Sequence, residues 1–350
     1  MVAGDMDRWP TRWPTRTGRF ALGDLALRGG AVLPGAVLSW KAHGTLSPAR
    51  DNVVLYPTSY GAQHPELEWL IGPDGVLDPT RWFVVQPDMF GNGLSSSPSN
   101  TPDYPDLVTA WDNVAAQRRL LAEEFGVERL ACVYGWSMGA QQAYHWAAAF
   151  PGAVDRIVVN CGSARTAEHN RVFLRSLMAV LEAAPEHRGG GRFDARPDMA
   201  LRAFGRIYAS WAMSQDFYRA GLHLTSSGAA DLAAYLRTWE TRYDTRDAAD
   251  LYAQLRCWEA GDIADDPRHG GDLARALGAI RARVLLMPGA TDLYFRVADN
   301  EAELPHLRHA ALRPIPSIWG HRAGNPMQNP EDARFLRDAV REWLASPPPD

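Results

Sequence analysis

Short apolar runs alternate with helix-like segments along the first half of the chain. NVVLYPTSYG (Asn52 to Gly61) and RWFVVQPDMFGNG (Arg81 to Gly93) are apolar until Pro and Gly interrupt them. Such runs are typical of buried parallel strands with loops at their carboxyl ends. The later segments RLACVYG and VDRIVVNCGSA have the same pattern and predict two further strands.

Three segments between and after these strands have helical spacing. PDLVTAWDNVAAQRRLLAEEFG predicts an amphipathic helix, with Pro105 in its first turn and Gly126 at its end. Its apolar face consists of Leu107, Trp111, Val114, Leu121 and Phe125. GAQQAYHWAAAFPG and the C-terminal EDARFLRDAVREWLAS predict two more helices.

The alternation predicts an α/β protein with a mostly parallel central sheet flanked by helices. It stops at about residue 165 and resumes after residue 272 with ARVLLMPGATD and AALRPIPSIWGH. We therefore expect a core of residues 21–164 and 273–350, with residues 165–272 inserted as a helical lid at the edge where ligands bind. An independently folding helical domain is the alternative. Residues 1–20, with their tandem RWPT, predict a flexible tail or a surface strap.

Composition and charge narrow the class of protein. The 350 residues are 46% hydrophobic and 22% charged, with a net charge of −5, which gives no electrostatic reason to expect nucleic acid or an acidic membrane as partner. No window approaches 18 consecutive apolar residues, and the N-terminus lacks the apolar run of a secretory signal. Three widely spaced cysteines favour a reduced, cytoplasmic setting.

The sequence GWSMG, from Gly135 to Gly139, follows a predicted strand and opens a predicted helix. This is the setting of a nucleophile elbow, in which the turn is too tight for side chains at the two glycines. Ser137 is therefore the predicted nucleophile. The alternative is a serine that only caps the following helix.

A serine nucleophile needs a histidine base and an acid that orients it, in the chain order Ser, acid, His for this architecture. Asp292 follows the predicted strand VLLMPG, and His321 follows IPSIWG. Asp299 is the nearest rival acid, although it lies in a helix-like segment. No clustered His, Cys and Asp ligands are evident, so we expect no metal and no cofactor.

The oxyanion of an acyl-transfer intermediate needs backbone donors. We predict the N–H of Met138, directly after the nucleophile, together with the N–H of Thr58 or Ser59 in the loop YPTSYG. An ordinary turn is the alternative interpretation of that loop.

With these motifs the chain resembles the α/β-hydrolase superfamily, and more narrowly the homoserine O-acetyltransferase family with its esterase-like relatives. The segments that carry the resemblance are LIGPDGVLDPTRWFVVQPDMFGNGLSSSP, GWSMGAQQAYHWAAAFP, TDLYF and WGHRAGNP. The resemblance implies the α/β-hydrolase fold, a triad of Ser137, Asp292 and His321, and a helical lid that forms a homodimer interface.

Two residues depart from the transferase pattern. That family has a glycine before the nucleophile, where this chain has Trp136, and an acidic residue after the histidine, where it has Arg322. An acidic side chain there would hold a substrate ammonium group, whereas a guanidinium would repel it. We therefore expect the esterase-like branch. Trp136, Tyr208, Trp211 and Arg322 are candidate substrate-binding residues, although aromatic stripes more often pack helices and arginines more often lie on the surface.

The predicted activity is hydrolysis of short-chain, acetyl-like carboxylic esters through an acyl-serine, with a small-molecule ester as partner and neither nucleic acid nor membrane. The first alternative is an O-acyltransferase that moves an acetyl group from acyl-CoA, as co-substrate, to a small alcohol. The second is a non-catalytic receptor or scaffold on the same fold.

Overall fold

The computed structural model describes residues 12–346 and has one eight-stranded sheet at its centre. The strands are β1 (Thr15–Ala26), β2 (Val32–His43), β3 (Val53–Leu55), β4 (Phe83–Pro87), β5 (Cys132–Trp136), β6 (Arg156–Asn160), β7 (Arg283–Met287) and β8 (Ala310–Leu312). Their order across the sheet is β1-β2-β4-β3-β5-β6-β7-β8. β1, β2 and β4 pair antiparallel, and every pair from β4 to β8 is parallel. The predicted mostly parallel sheet is confirmed.

Eleven α-helices are found in the described residues. They are α1 (Ala110–Phe125), α2 (Met138–Ala149), α3 (Glu168–Glu182), α4 (Asp198–Ala212), α5 (Gln215–Arg219), α6 (Leu222–Thr225), α7 (Leu232–Glu240), α8 (Ala248–Glu259), α9 (Leu273–Ala279), α10 (Val297–Glu303) and α11 (Pro330–Ala345). Within residues 12–346, no helix has both the length and the apolar character needed to cross a membrane.

The predicted helix after β4 begins later than its sequence suggested. α1 starts at Ala110 rather than near Pro105, because the Thr109 side chain accepts the Asp112 N–H and Asp112 reaches back to the Thr109 N–H. This reciprocal capping box satisfies two N–H groups that a helix start otherwise leaves unpaired. The predicted end at Gly126 is confirmed, and its φ of 64° is in the left-handed region that glycine adopts readily.

Alternate residues of the central strands face two separate cores. Val53 and Leu55 point to the face covered by α1 and α2, whereas Val54 points to the face covered by α11. This follows from the two-residue period of a strand. Because both faces are buried, the strands are apolar throughout, as the sequence pattern showed.

A third apolar cluster joins the inserted helices to the core. The segment 165–272 contains α3 to α8, and its buried side chains pack with Met89, Met138, Tyr294 and Phe295 from the loops above the sheet. The chain enters and leaves this segment at one place, where the Ile263 N–H donates to Ala164 O at 3.0 Å. Two chain segments that lie side by side thus connect the lid to the carboxyl edge of the sheet.

The predicted tail of residues 1–20 requires a partial correction. Residues 1–11 lie outside the described part of the chain, but Thr15 to Phe20 form the first half of β1. Their pairing with β2, from Thr15 opposite His43 onward, makes this segment part of the sheet rather than a loose end.

A buried carboxylate fixes the base of the lid. Glu303 accepts hydrogen bonds from the Ala164 N–H (2.7 Å), the Tyr144 hydroxyl (2.8 Å) and the Asn300 amide (2.9 Å). Burial nevertheless outweighs these bonds and raises the pKa of Glu303 to about 7. The folded protein therefore binds this proton more tightly than the unfolded chain does.

We predict that Glu303→Gln changes how stability depends on pH. Because the folded pKa lies above the unfolded one, the contribution of Glu303 is fully present below the unfolded pKa and is lost as pH rises through about 7. From pH 5 to pH 8, the free energy of unfolding of Glu303→Gln should rise by on the order of 2 kcal/mol relative to that of the parent protein. Urea unfolding at several pH values measures this difference.

The matched control is Glu342→Gln, which alters an exposed glutamate that pairs with Arg313 and whose pKa is lowered. The difference in free energy of unfolding between Glu342→Gln and the parent protein should not change between pH 5 and 8. Parallel curves for Glu303→Gln and Glu342→Gln would contradict the assignment of the buried proton to Glu303.

Candidate active site

Ser137 lies at the sharp turn between β5 and α2. Its φ of 59° and ψ of −126° are rare for any residue with a side chain. The turn is closed by near contact of three backbone segments. A Cβ on Gly135 would lie 2.1 Å from Gly139 O, and one on Gly139 would lie 2.8 Å from Pro57 O. The two glycines are therefore required by space, as the GWSMG motif predicted.

The structure brings Ser137, His321 and Asp292 together. His321 lies in the 3-10 turn Gly320–Gly324, and its Nε2 is 2.9 Å from Ser137 Oγ. Its Nδ1 is 2.7 Å from Asp292 Oδ2. The neutral tautomer with a proton on Nδ1 donates to Asp292 and accepts the Ser137 hydroxyl proton at Nε2. The three side chains are only 3%, 5% and 4% exposed.

Asp292 is held by the loop that follows β7. Its Oδ1 accepts the N–H groups of Tyr294 (2.8 Å) and Phe295 (3.3 Å), which leaves Oδ2 for the imidazole. The rival Asp299 has another task, since its carboxylate caps α10 by accepting the Arg296 N–H. The structure thus distinguishes Asp292, which bonds to the imidazole, from Asp299, which caps a helix.

Cys161 at the end of β6 is a site neighbour that the sequence reasoning missed. Its thiol lies within 4.8 Å of the ligand atoms of Asp292 and His321. Burial and the adjacent Asp292 charge raise the pKa of this thiol well above its usual value. A metal ion bound to this group would displace the Asp292–His321 hydrogen bond, so the set fits a proton relay better than a metal centre. The segment VDRIVVNCGSA carries no motif that marks Cys161, and its place in the site follows only from the position of β6 beside β5 in the sheet.

The loop after β3 packs against the first turn of α2. The Thr58 N–H donates to Pro87 O at 3.2 Å, and the Thr58 carbonyl accepts from the Gln142 amide at 3.0 Å. Thr58 is therefore a framework residue, which corrects its place as an alternative oxyanion donor. Ser59 is the remaining candidate of that pair. Met138 is the first residue of α2, where a helix leaves N–H groups without intrahelical acceptors.

Tyr208 and Trp211 lie in the aromatic layer between lid and core. The Tyr208 ring stacks on Tyr60, which follows Ser59, with centroids 5.8 Å apart. Trp211 lies parallel to Tyr294 at 6.2 Å, and Tyr294 in turn contacts the His321 ring at 4.9 Å. Tyr208 and Trp211 thus contact the rings of Tyr60 and Tyr294, which belong to the loops of the site.

Trp136, a predicted substrate-binding residue, lies against the base of the relay. Its indole packs on the α11 face of the sheet and stacks on the His321 imidazole, with centroids 5.2 Å apart and planes at 24°. Trp136 is thus a neighbour of the base. The predicted contact of Trp136 with substrate stays a prediction.

Arg322 follows His321 and is half-buried. Burial and the lid residue Arg242 lower the pKa of its guanidinium to about 9. Among the described residues, no carboxylate forms a salt bridge with Arg322, so its predicted role toward substrate stays a prediction.

Comparison with known proteins gives a consistent set of relatives. The family described as alpha/beta hydrolase fold matches residues 69–309. A probable esterase of Corynebacterium glutamicum is 35% identical over 318 residues, covering 86% of this chain and 88% of the relative. The ethyl acetate hydrolase of Pseudomonas veronii is 34% identical, covering 86% and 87%.

More distant relatives include the homoserine O-acetyltransferase of Leifsonia xyli subsp. xyli, which is 28% identical over 89% of this chain and 87% of its own. Among solved structures, the acetyl esterase MekB superposes with a TM-score of 0.90 at 32% identity, covering 95% of this chain and 97% of that one.

We predict that Gly135→Ala destabilises the protein by at least about 3 kcal/mol, because the added methyl group meets backbone atoms that cannot move aside. Gly152→Ala is the control, since a Cβ at Gly152 meets nothing within 4 Å. Urea unfolding of the two variants measures the contrast. Equal stabilities would show that the elbow has more space than its contacts indicate.

Proposed function

The chain belongs to the α/β-hydrolase family, and from this we propose that it is a serine esterase acting on short-chain, acetyl-like carboxylic esters. The family match and fold predicted from the sequence are confirmed. The observation that carries the proposal is the continuous relay of Ser137, His321 and Asp292, with successive distances of 2.9 and 2.7 Å. The names of its relatives, an ethyl acetate hydrolase and an acetyl esterase, support hydrolysis of acetyl esters.

In the first half of the reaction, Ser137 Oγ forms a bond to the ester carbonyl carbon while its proton passes to His321 Nε2. The carbonyl electron pair moves onto oxygen, where the N–H groups of Met138 and Ser59 are the proposed donors. One such donor typically contributes about 3 kcal/mol to the transition state. When the carbonyl re-forms, the alkoxide leaves and takes the proton from His321.

In the second half, His321 removes a proton from water, and the resulting hydroxide oxygen attacks the acyl-serine carbonyl. Collapse of that intermediate breaks the bond to Ser137 Oγ, which regains a proton from His321 as the carboxylic acid departs. Asp292 holds the imidazole tautomer and stabilises its cation in both halves without taking the proton itself. No metal or cofactor enters either step.

A short acyl group suits the crowded aromatic layer above the site. Phe173 contacts Tyr294 at 4.9 Å and Tyr208 at 5.3 Å between centroids, and all three rings are 8% exposed or less. A long acyl chain would have to separate these rings, whereas an acetyl group requires far less space. Tyr208 and Trp211 are the lid residues that we propose limit acyl length.

Acetyl transfer from acetyl-CoA to an alcohol is the second candidate, and the homoserine O-acetyltransferase relatives favour it. The Arg322 guanidinium, which forms no salt bridge within residues 12–346, opposes an amino-group acceptor such as homoserine. The two reactions share the acyl-serine and differ in what removes the acyl group. Product analysis with acetyl-CoA and an added alcohol separates them, because a transferase forms the new ester faster than free acetate.

We predict that Ser137→Ala lowers turnover of p-nitrophenyl acetate by at least about 10³-fold, because the nucleophile is lost. Intact mass after mixing should show one acetyl group on the parent protein and none on the variant. Ser163→Ala serves as control, since Ser163 is similarly buried but donates only to Arg165 O. Equal acetylation of the Ser137→Ala variant would place the nucleophile elsewhere.

We also propose that two copies pair through their lids, in the cytoplasm. Three large apolar side chains on lid helices are exposed: Val172 (60%), Met199 (77%) and Leu232 (53%). Val172 lies on α3, Met199 on α4 and Leu232 on α7, so all three belong to the helices of residues 165–272, where we place the contact between copies. The three cysteines are unpaired and buried, which suits a reducing compartment.

We predict that Met199→Glu converts a dimer into a monomer, because it puts a charge into the apolar contact. Light scattering coupled to gel filtration measures the mass. Met327→Glu alters a side chain that is 50% exposed outside the lid and should leave the dimer intact. A parent protein that is monomeric at micromolar concentration would refute lid pairing.

A further inference from the structure

Three aromatic rings surround the imidazole of His321. Tyr294 meets it nearly edge to face at 4.9 Å, and Phe295 is tilted at 5.6 Å. Trp136 is the one among these three that stacks almost parallel, at 5.2 Å and 24°. The residue immediately before the nucleophile therefore covers one face of the base.

We propose that Trp136 is a positioning residue that holds the His321 ring and stabilises its protonated form during acyl transfer. The inference rests on the proposed serine esterase function and deepens it. It gives a role to the position at which this chain departs from the glycine of the transferase pattern.

The indole has no room to move away from the imidazole. Trp136 is 8% exposed and packs with Tyr134, Cys161 and Ala323 in the cluster on the α11 face. Gly324 also lies close to the indole, because a Cβ on Gly324 would lie 2.7 Å from Trp136 Cδ1. The Trp136 indole therefore blocks rotation of the imidazole toward the α11 face of the sheet.

The same contact acts on charge. Indole has the most electron-rich face of the aromatic side chains, and a cation over that face is attracted to it, more strongly where water is excluded. During the reaction, a neutral His321 becomes a cation when it takes the proton of Ser137 or of water, which is when the transition state forms. An interaction that strengthens at that point lowers the barrier instead of only tightening ground-state binding.

Asp292 and Trp136 therefore act on different parts of the ring. Asp292 Oδ2 accepts a hydrogen bond from the Nδ1–H group, with 2.7 Å between nitrogen and oxygen, and Trp136 covers one face of the ring. The Trp136 Nε1–H is buried without a hydrogen-bond partner among the described residues.

The test compares Trp136→Leu, which removes the π face, with Trp136→Phe, which keeps a smaller one. The measurement is kcat/KM for p-nitrophenyl acetate as a function of pH. The acid limb of this profile reports the pKa of the base in the free enzyme. If the indole stabilises the cation, Trp136→Leu lowers that midpoint by about 0.5–1 pH unit and the plateau by about 3- to 10-fold. Trp136→Phe falls between Trp136→Leu and the parent protein.

Trp343→Leu is the matched control. Trp343 is 7% exposed in the same cluster, has an unpaired Nε1–H, and shows no ring contact with His321 among the described residues. Its replacement should cost stability but leave the acid limb in place. An unmoved midpoint in Trp136→Leu, or one displaced to higher pH, would overturn the proposal and reduce Trp136 to a packing residue.

A second measurement does not depend on turnover. The His321 ring is titrated by NMR in the Ser137→Ala protein with and without Trp136→Leu, and the proposal requires a lower imidazole pKa in the double variant. An unchanged or higher pKa overturns it. A parent protein that neither hydrolyses esters nor is acetylated would refute the proposed function, while this titration still decides the contact between the two rings.

Discussion

The whole site depends on one strained residue, because the backbone of Ser137 is held at a positive φ where β5 turns into α2. That conformation persists because backbone atoms of β5, α2 and the loop after β3 meet at distances that admit only glycine at residues 135 and 139. Strain of this kind costs of order 1–3 kcal/mol and persists only where surrounding structure fixes it. Here the surroundings are the two cores on either side of the sheet.

The sheet also brings the rest of the relay to this turn. Because β5, β6 and β7 are neighbours and parallel, their carboxyl ends present Ser137, Cys161 and Asp292 along one edge. The histidine comes from the turn after β8 and completes the row. Above this edge the helices of residues 165–272 pack over the loops of the site, and Ser137, His321 and Asp292 are each 5% exposed or less.

Much of this arrangement was predictable from local sequence. Ser137, Asp292 and His321 each follow an apolar run and have a glycine within three residues before them, and parallel strands bring such positions to one edge whatever else the chain does. The helices of residues 165–272 were predictable because helical spacing interrupts the strand pattern over a long segment. These features depend on periodicity and chain order, both of which are visible in the letters.

Other features depend on contacts between distant residues and could not be obtained that way. The choice between Thr58 and Ser59 turns on a hydrogen bond to Pro87, and the start of α1 on a reciprocal cap between Thr109 and Asp112. The orientation of Trp136 follows from strand alternation once the register is known. Cys161 was missed because nothing in its own segment marks it; its importance arises from the loops that surround it.

The crowding around Gly324 has a consequence for how this site can change over generations. A methyl group there would meet Asn160 Oδ1, Cys161 Sγ and Trp136 Cδ1, each at 2.7 Å. A smaller residue at 136 alone would therefore not admit a side chain at 324, because Asn160 and Cys161 occupy the same space. Position 324 can change only together with the ends of both β5 and β6.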